Sequence, residues 1–174
     1  FVPPGGTMGG AGAQLASPGL ARVVGRAELE GSRLALEASR PDLALEQTTW
    51  VASIAGSDSI LQRDADAGSI VALQAMRRYG DAVAAMRQML VRYRPEAPPD
   101  PTQEDPLLSI PMGIVTIQRD MGDTVAARLD LEDAERYFGQ LLSVSLAPAL
   151  EAQVRTHLAE VHLDQGNTGM ALRD

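Results

Sequence analysis

The feature that most restricts this chain is a turn that recurs three times. Gly80-Asp81-Ala82-Val83-Ala84-Ala85, Gly122-Asp123-Thr124-Val125-Ala126-Ala127 and Gly166-Asn167-Thr168-Gly169-Met170-Ala171 each hold Gly, then Asp or Asn, then Ala five residues after the Gly. The copies lie 42 and 44 residues apart. Each follows a long stretch with apolar residues at helical period and opens another such stretch. Gly supplies a left-handed C-cap, Asp or Asn an N-cap, and Ala lets the two helices approach, which together describe a helical hairpin. Gly80, Ala85, Gly122, Ala127, Gly166 and Ala171 are therefore expected to be structural residues of the turns. Ser39 to Ala44 reads as a fourth, degenerate copy.

Helices account for almost everything between the turns. Ser17-Pro18 is a good start, with Ser as N-cap and Pro in the first turn. Leu20, Val23, Val24 and Ala27, continued by Gly31, Leu34, Ala35 and Ala38, predict one apolar face, with Gly31 permitting a close helix contact. Pro41 disfavours helix at the residue before it, so a second helix is expected from Pro41 to about Ala55, carrying Trp50. Gly56-Ser57-Asp58 breaks the chain and caps a third helix through Arg78. The next shows Val83, Met86, Leu90 and Tyr93 on one face. Residues 95–106, PEAPPDPTQEDP, hold five prolines and four acids, and a segment so short of backbone donors is a loop. Helices resume near Leu107, break at Met121-Gly122-Asp123, continue to about Val144, and run again from Ala149 to Asp164. Strand patterning is absent, so the fold class is all-α with about 7–8 helices. Residues 1–17 carry five Gly, two Pro and no charge, which makes them an irregular tail; residues 18–174 form the helical repeat domain.

On these residues the chain resembles the tetratricopeptide-repeat family, whose units are two antiparallel helices with a small residue in the turn and Ala early in the second helix. In His157-Leu158-Ala159-Glu160-Val161-His162-Leu163-Asp164-Gln165-Gly166-Asn167, the residues Leu158, Ala159 and His162 fall where the family places a leucine, a small residue and an aromatic. Arg128 to Phe138 also reads like a second helix of the family, so the third repeat has two phases, one set by Gly122 and one by Ala134. The Gly122 phase is preferred because three turns share it. Family units are about 34 residues long, shorter than these spacings; the Pro-rich loop accounts for one excess and a long helix for the other. The resemblance covers roughly residues 19–174. It implies a right-handed solenoid of antiparallel hairpins whose first helices line a groove for extended or helical peptides.

Composition excludes several chemistries. All 15 basic residues are arginine against 23 acids, giving a net charge of −8; with pI near 4.7 the chain is a poor partner for nucleic acid phosphates. It has no Cys, hence no disulfide, thiolate nucleophile or Cys-ligated zinc. No 18-residue apolar run exists, so no membrane span is expected. His157 and His162 are five apart, about 140° round a helix, which does not match the i, i+4 pairing of zinc proteases. His162 is expected to pack in its hairpin and His157 to face solvent. Asp64-Ala65-Asp66-Ala67-Gly68 echoes the start of a calcium loop, but the twelfth position, which needs a bidentate Glu, is Ala75. Gly5-Gly6 and Gly9-Gly10 precede neither Lys nor strand, so they form no phosphate cradle, and no Gly-x-Ser-x-Gly elbow occurs. No catalytic residue, metal or cofactor is expected. Met76, Met86 and Met89 lie on apolar helix faces and read first as hairpin core, then as an adaptable binding surface.

What remains is a surface. Counted from Gly80, Gly122 and Gly166, the groove positions implied by the resemblance are Gln74, Arg77, Arg78, Thr116, Arg119, Asp120, Gln153, Thr156, Glu160 and Asp164. One family subgroup grips a peptide carboxylate with a Lys/Asn set, and this chain has no Lys and the single Asn167. The last repeat stops two turns into its second helix, and an open repeat end exposes a face meant for a neighbour. Phe1, Val2, Pro3 and Pro4 of the tail, with Met170 and Leu172, are the candidates for an end-to-end contact between copies, which is heterologous and builds a ring or filament. The expectation is a non-catalytic scaffold for a protein or peptide partner, with self-assembly as the alternative. The tail has neither a charged leader nor a long apolar run, so it does not read as an intact signal peptide. Absent Cys, a first residue other than Met and a Gly/Pro leader suit a processed, exported bacterial protein, though a fragment of a cytoplasmic regulator would share them.

Overall fold

The computed structural model describes residues 17–97, 100 and 103–173; the tail contacts expected at Phe1, Val2, Pro3 and Pro4 lie outside the described residues. All regular structure among them is helical, with no strand. The helices are α1 (Pro18–Glu37), α2 (Pro41–Ile54), α3 (Ser59–Ala75), α4 (Tyr79–Arg92), α5 (Pro106–Asp120), α6 (Thr124–Leu142), α7 (Pro148–Asp164) and α8 (Thr168–Ala171). They fall into two compact units, α1 to α3 and α4 to α8. The starts follow from local chemistry. Ser17, Asp58, Asp105 and Asp123 each accept a backbone N–H of the first turn with their side chain, and Pro opens α1, α2, α5 and α7.

One turn geometry ends α1, α3, α5 and α7. Ser39, Arg77, Gly122 and Gly166 have φ of 58°, 57°, 78° and 79°. In each, the N–H after the left-handed residue donates to the carbonyl five residues back: Arg40 to Ala35, Arg78 to Leu73, Asp123 to Gln118 and Asn167 to His162, at 2.7–2.9 Å. The left-handed residue donates three residues back, to Leu36, Gln74, Arg119 and Leu163 in turn. This is the Schellman pattern, which satisfies the last carbonyls of a helix. It corrects the expected phase at one copy. Gly80 is the second residue of α4 and α3 ends at Ala75; the left-handed residue is Arg77, three positions earlier. Glycine is the cheapest residue in that conformation and not the only one, so it does not always mark the turn.

The recurring alanine is a firmer marker. Ala44, Ala82 and Ala127 each stand five residues after the left-handed residue and are 0%, 0% and 3% exposed; Ala171 holds the same place in α8, partly buried. Ala82 thus holds the register position expected of Ala85, which is only partly buried. The third hairpin has its turn at Gly122, while Ala134 lies buried inside the unbroken α6.

In the first unit α2 packs on α1 and α3, and α1 also meets α3. The core is built on small residues: Ala35, Ala44 and Ala72 form one cluster, Val51, Ala55, Leu61 and Ala65 another. The face expected for α1 is therefore rotated. Its buried residues are Ala21, Gly25, Ser32 and Ala35, while Leu20, Val23 and Leu34 stand 48%, 68% and 51% exposed. Close approach decides this: a Cβ on Gly25 would lie 2.7 Å from Leu61 Cδ2, so α1 presents its small side to α3. Gly31 does sit at a contact, but with the movable end of Gln47.

In the second unit consecutive helices pack together and α5 also meets α7. Its core joins Leu108 and Val115 of α5, Leu131 and Phe138 of α6, and Val154, Leu158 and Val161 of α7. Met86 and Met89 of α4 are buried, and Met76, the C-cap residue after α3, is partly buried. Arg87 of α4 pairs with Asp130 of α6 at 2.6 Å, and the carboxylate is only 6% exposed.

Replacing Arg77 by Gly relieves left-handed strain of about 1–2 kcal/mol, partly offset by the added freedom of the unfolded chain. Arg77→Gly is therefore expected to leave stability unchanged or raise it by up to about 1 kcal/mol. Gly122→Ala, which forces a Cβ into the same conformation, lowers it by about 1 kcal/mol. Urea unfolding of the two variants measures both, and an Arg77→Gly chain less stable than Gly122→Ala overturns the turn assignment.

Candidate interaction surface

The four turns give a common register for the helices that precede them. Residues 13, 10, 6 and 3 places before the left-handed residue share one helix face by their spacing. On α1 these are Arg26, Leu29, Arg33 and Leu36; on α3, Asp64, Ala67, Val71 and Gln74; on α5, Ser109, Met112, Thr116 and Arg119; on α7, Gln153, Thr156, Glu160 and Leu163. None of the sixteen is buried, so each of these helices turns the same stripe outward.

The register sorts the expected groove residues. Gln74, Thr116, Arg119, Gln153, Thr156 and Glu160 lie on the stripe, with Asp120 and Asp164 one position to its side. Arg77 and Arg78 do not: they are the turn after α3, so Gln74 takes the place expected of Arg77 and Val71 that expected of Gln74. The sequence reading also missed the stripe of α1 and Asp64 on α3. Counting back from Ala44 and Ala82, rather than from Gly80, finds both.

In the first unit the stripes of α1 and α3 border a cleft of about 470 Å³ lined by Arg26, Leu29, Arg33, Leu36, Asp64 and Val71, among others. Its lining mixes apolar side chains, Leu29, Leu36 and Val71, with charged ones, Arg26, Glu30, Arg33 and Asp64. Arg33 binds Glu30 and Glu37 on its own helix, and the guanidinium holds the Glu30 carboxyl below its usual range. Desolvation between the helices pushes the Asp64 carboxyl up, against the pull of Arg63 and Arg26.

In the second unit the stripe is largely self-satisfied. Thr116 and Thr156 donate back to the carbonyls of Met112 and Ala152, each at 3.0 Å. Arg119 of α5 pairs with Asp164 of α7 at 2.8 Å; both side chains are over a third exposed, so the pair contributes about 0–1 kcal/mol. Gln153 donates from Nε2 to the Gln103 carbonyl of the Pro-rich loop at 2.7 Å. Glu160 sits 3.0 Å from Nδ1 of His157.

His157 departs from expectation. Its side chain is only 12% exposed, because the ring stacks on Phe138 with centroids 5.6 Å apart and planes 11° from parallel, while Glu104 of the loop covers Nε2. An imidazole has an apolar body as well as polar tips, and the aromatic beside it on α6 draws the body in. His162 is 2% exposed, packed in the hairpin as expected. The loop is pinned by Asp105, itself 4% exposed, whose carboxylate accepts from Leu107 N at 2.8 Å and Glu96 N at 2.7 Å. Met170 and Leu172 of the last turns are 43% and 89% exposed. Among the described residues no group of three or more His, Asp or Glu is arranged to hold a metal ion, and no helix is long and apolar enough to cross a membrane.

The Asp64 shift fixes the sign of a pH effect. A carboxyl raised in the folded state contributes stability below its unfolded pKa and loses it as pH climbs through the raised folded value. Asp64→Asn is therefore expected to stabilise the chain more, relative to wild type, at pH 7 than at pH 3. Unfolding midpoints at the two pH values measure this, and an equal or reversed difference contradicts it.

No family model, curated protein or solved structure matches this chain.

Proposed function

We propose that this chain is a non-catalytic interaction scaffold, a right-handed solenoid of helical hairpins like those of tetratricopeptide-repeat proteins, that binds a protein or peptide partner along its outward stripes. The observation that carries this reading is the recurrence of one turn and one buried alanine in a single register, with the same outward face on each preceding helix. Repeats of this kind stack neighbour on neighbour and leave an extended surface of like positions, the usual place for partner binding in helical arrays. The partner is a polypeptide rather than nucleic acid, since the chain carries a net charge of −8.

An array of immobilised peptides of about 15 residues tests the reading. Peptides that bind the full chain are expected to lose at least tenfold in affinity, about 1.4 kcal/mol, to Arg33→Glu or to Glu160→Arg, both exposed stripe positions. Unchanged thermal unfolding of the variants separates binding from folding. An array without binders, or binders indifferent to both substitutions, rejects the proposal.

A second reading is end-to-end self-association. It is favoured by the apolar side chains left in solvent on α1 (Leu20, Val23, Leu34) and on α7 and the turn after α8 (Leu163, Leu172). Sedimentation velocity over a hundredfold range of concentration is expected to show growing oligomers that Val23→Asp or Leu172→Asp returns to monomer. A wild-type monomer throughout removes this reading.

A further inference from the structure

Gln103 and Glu104, at the end of the loop between α4 and α5, lie against α7, and their contacts there describe a ligand. Gln103 offers its backbone carbonyl to Gln153 Nε2 at 2.7 Å. The next residue, Glu104, sets its carboxylate against Nε2 of His157, whose ring is braced on Phe138. Asp105, in extended backbone conformation, then leads into α5. A carbonyl and an adjacent acidic side chain of a non-helical segment are thus read by two side chains of α7 one turn apart.

The reading is incomplete on one side. The Gln153 carboxamide oxygen is buried and accepts no hydrogen bond, an unfavourable state for a buried acceptor. A carboxamide facing an extended chain donates to a carbonyl with its nitrogen and accepts an N–H with its oxygen. The loop cannot supply that N–H from Gln103, whose amide is already committed to the Asp100 carbonyl at 3.0 Å. Three neighbouring prolines, Pro98, Pro99 and Pro101, have none to give. Gln153 is also the first position of the outward stripe, so the contact lies on the candidate interaction surface itself.

We infer that the strip of α7 carrying Gln153 and His157 is a docking site for an extended acidic peptide, and that Gln103 and Glu104 are its resident, displaceable occupant. The inference rests on the scaffold reading above and names the ligand class for that surface. The partner presents a backbone carbonyl and a free N–H to the two ends of the Gln153 carboxamide and a carboxylate to His157. The resident segment imitates it with the carbonyl and carboxylate alone. Being tethered, it competes at an effective concentration of roughly millimolar order, so a free peptide prevails only by completing the hydrogen bonds or once the tethered contact is weakened.

The probe is a fluorescent synthetic peptide with the sequence of residues 95–106, PEAPPDPTQEDP, titrated into the full chain and followed by anisotropy. Glu104 is 46% exposed, so Glu104→Ala loosens the resident segment without opening the core. The Glu104→Ala chain is expected to bind the peptide at least tenfold more tightly than wild type. Adding Gln153→Ala removes that gain, and a peptide with its acids replaced by amides, PQAPPNPTQQNP, binds at least tenfold more weakly. Equal binding by wild type and Glu104→Ala, no binding by Glu104→Ala, or indifference to the amide replacements overturns the inference. If it fails while array peptides still depend on Arg33 or Glu160, the scaffold reading stands; if those are lost too, both fall. Circular dichroism of each variant checks the fold, and faster hydrogen exchange of Gln103 and Glu104 in Glu104→Ala supplies an independent measure of release.

Discussion

The geometry of this molecule depends on a backbone event that occupies three residues. At the end of α1, α3, α5 and α7 one residue goes left-handed, and two N–H groups fold back onto carbonyls of the last helical turn. Those bonds satisfy acceptors that would otherwise stand open at the helix end. They also fix where the chain heads next, and the residue five places on is an alanine each time. Two of the left-handed residues, Ser39 and Arg77, carry a Cβ, which costs about 1–2 kcal/mol each relative to the right-handed conformation. At Ser39 the turn forms regardless, because α1 and α2 bury surface against each other only if the chain reverses there.

Packing explains why the alanine holds its place more strictly than the glycine. A side chain larger than Ala at position 44, 82 or 127 would have to enter space that is 0–3% exposed, and overpacking of that kind is commonly worth about 1–3 kcal/mol. The turn residue faces open space instead: nothing lies within 4 Å of where a Cβ on Gly122 or Gly166 would sit. Its identity is therefore governed by backbone strain alone, and Ser or Arg can substitute. Gly80 misleads for the same reason. It follows a real turn by three residues and is followed by an acid, so it imitates the pattern of Gly122 while standing inside α4.

Helix existence was legible because several local signals agree: proline in a first turn, Ser or Asp before it, and apolar residues at helical period. Which face of α1 is buried was not legible from hydrophobicity, since the packing is set by Ala21, Gly25, Ser32 and Ala35. Small residues let backbones come close, and the neighbours gained outweigh the larger area of Leu20 or Val23. The outward stripe was half legible. Thr116, Arg119, Gln153, Thr156 and Glu160 on α5 and α7 were found through correctly placed glycines, while Ser109, Met112 and Leu163 were not; on α1 and α3 the members were displaced or missed, because Ser39 and Arg77 hide the turn that sets their phase. His157 could not be placed from sequence, as its burial depends on Phe138 of another helix and on a loop whose course the prolines leave open.

Self-satisfaction of the stripe in the second unit bears on what a partner would have to do there. Thr116 and Thr156 bond to their own helices, and Arg119 is matched by Asp164. Such contacts are weak because water competes for them, so exchanging them for contacts with a partner changes the energy little in either direction. Gln153 is different: one end of its carboxamide is bonded, the other is buried and open. Desolvation of that oxygen has already occurred in the resting molecule, so a donor arriving there gains a hydrogen bond without first stripping the acceptor of water. On the scaffold reading, the exposed charges of the stripe then govern encounter and orientation, and the buried, half-bonded carboxamide governs which backbone stays.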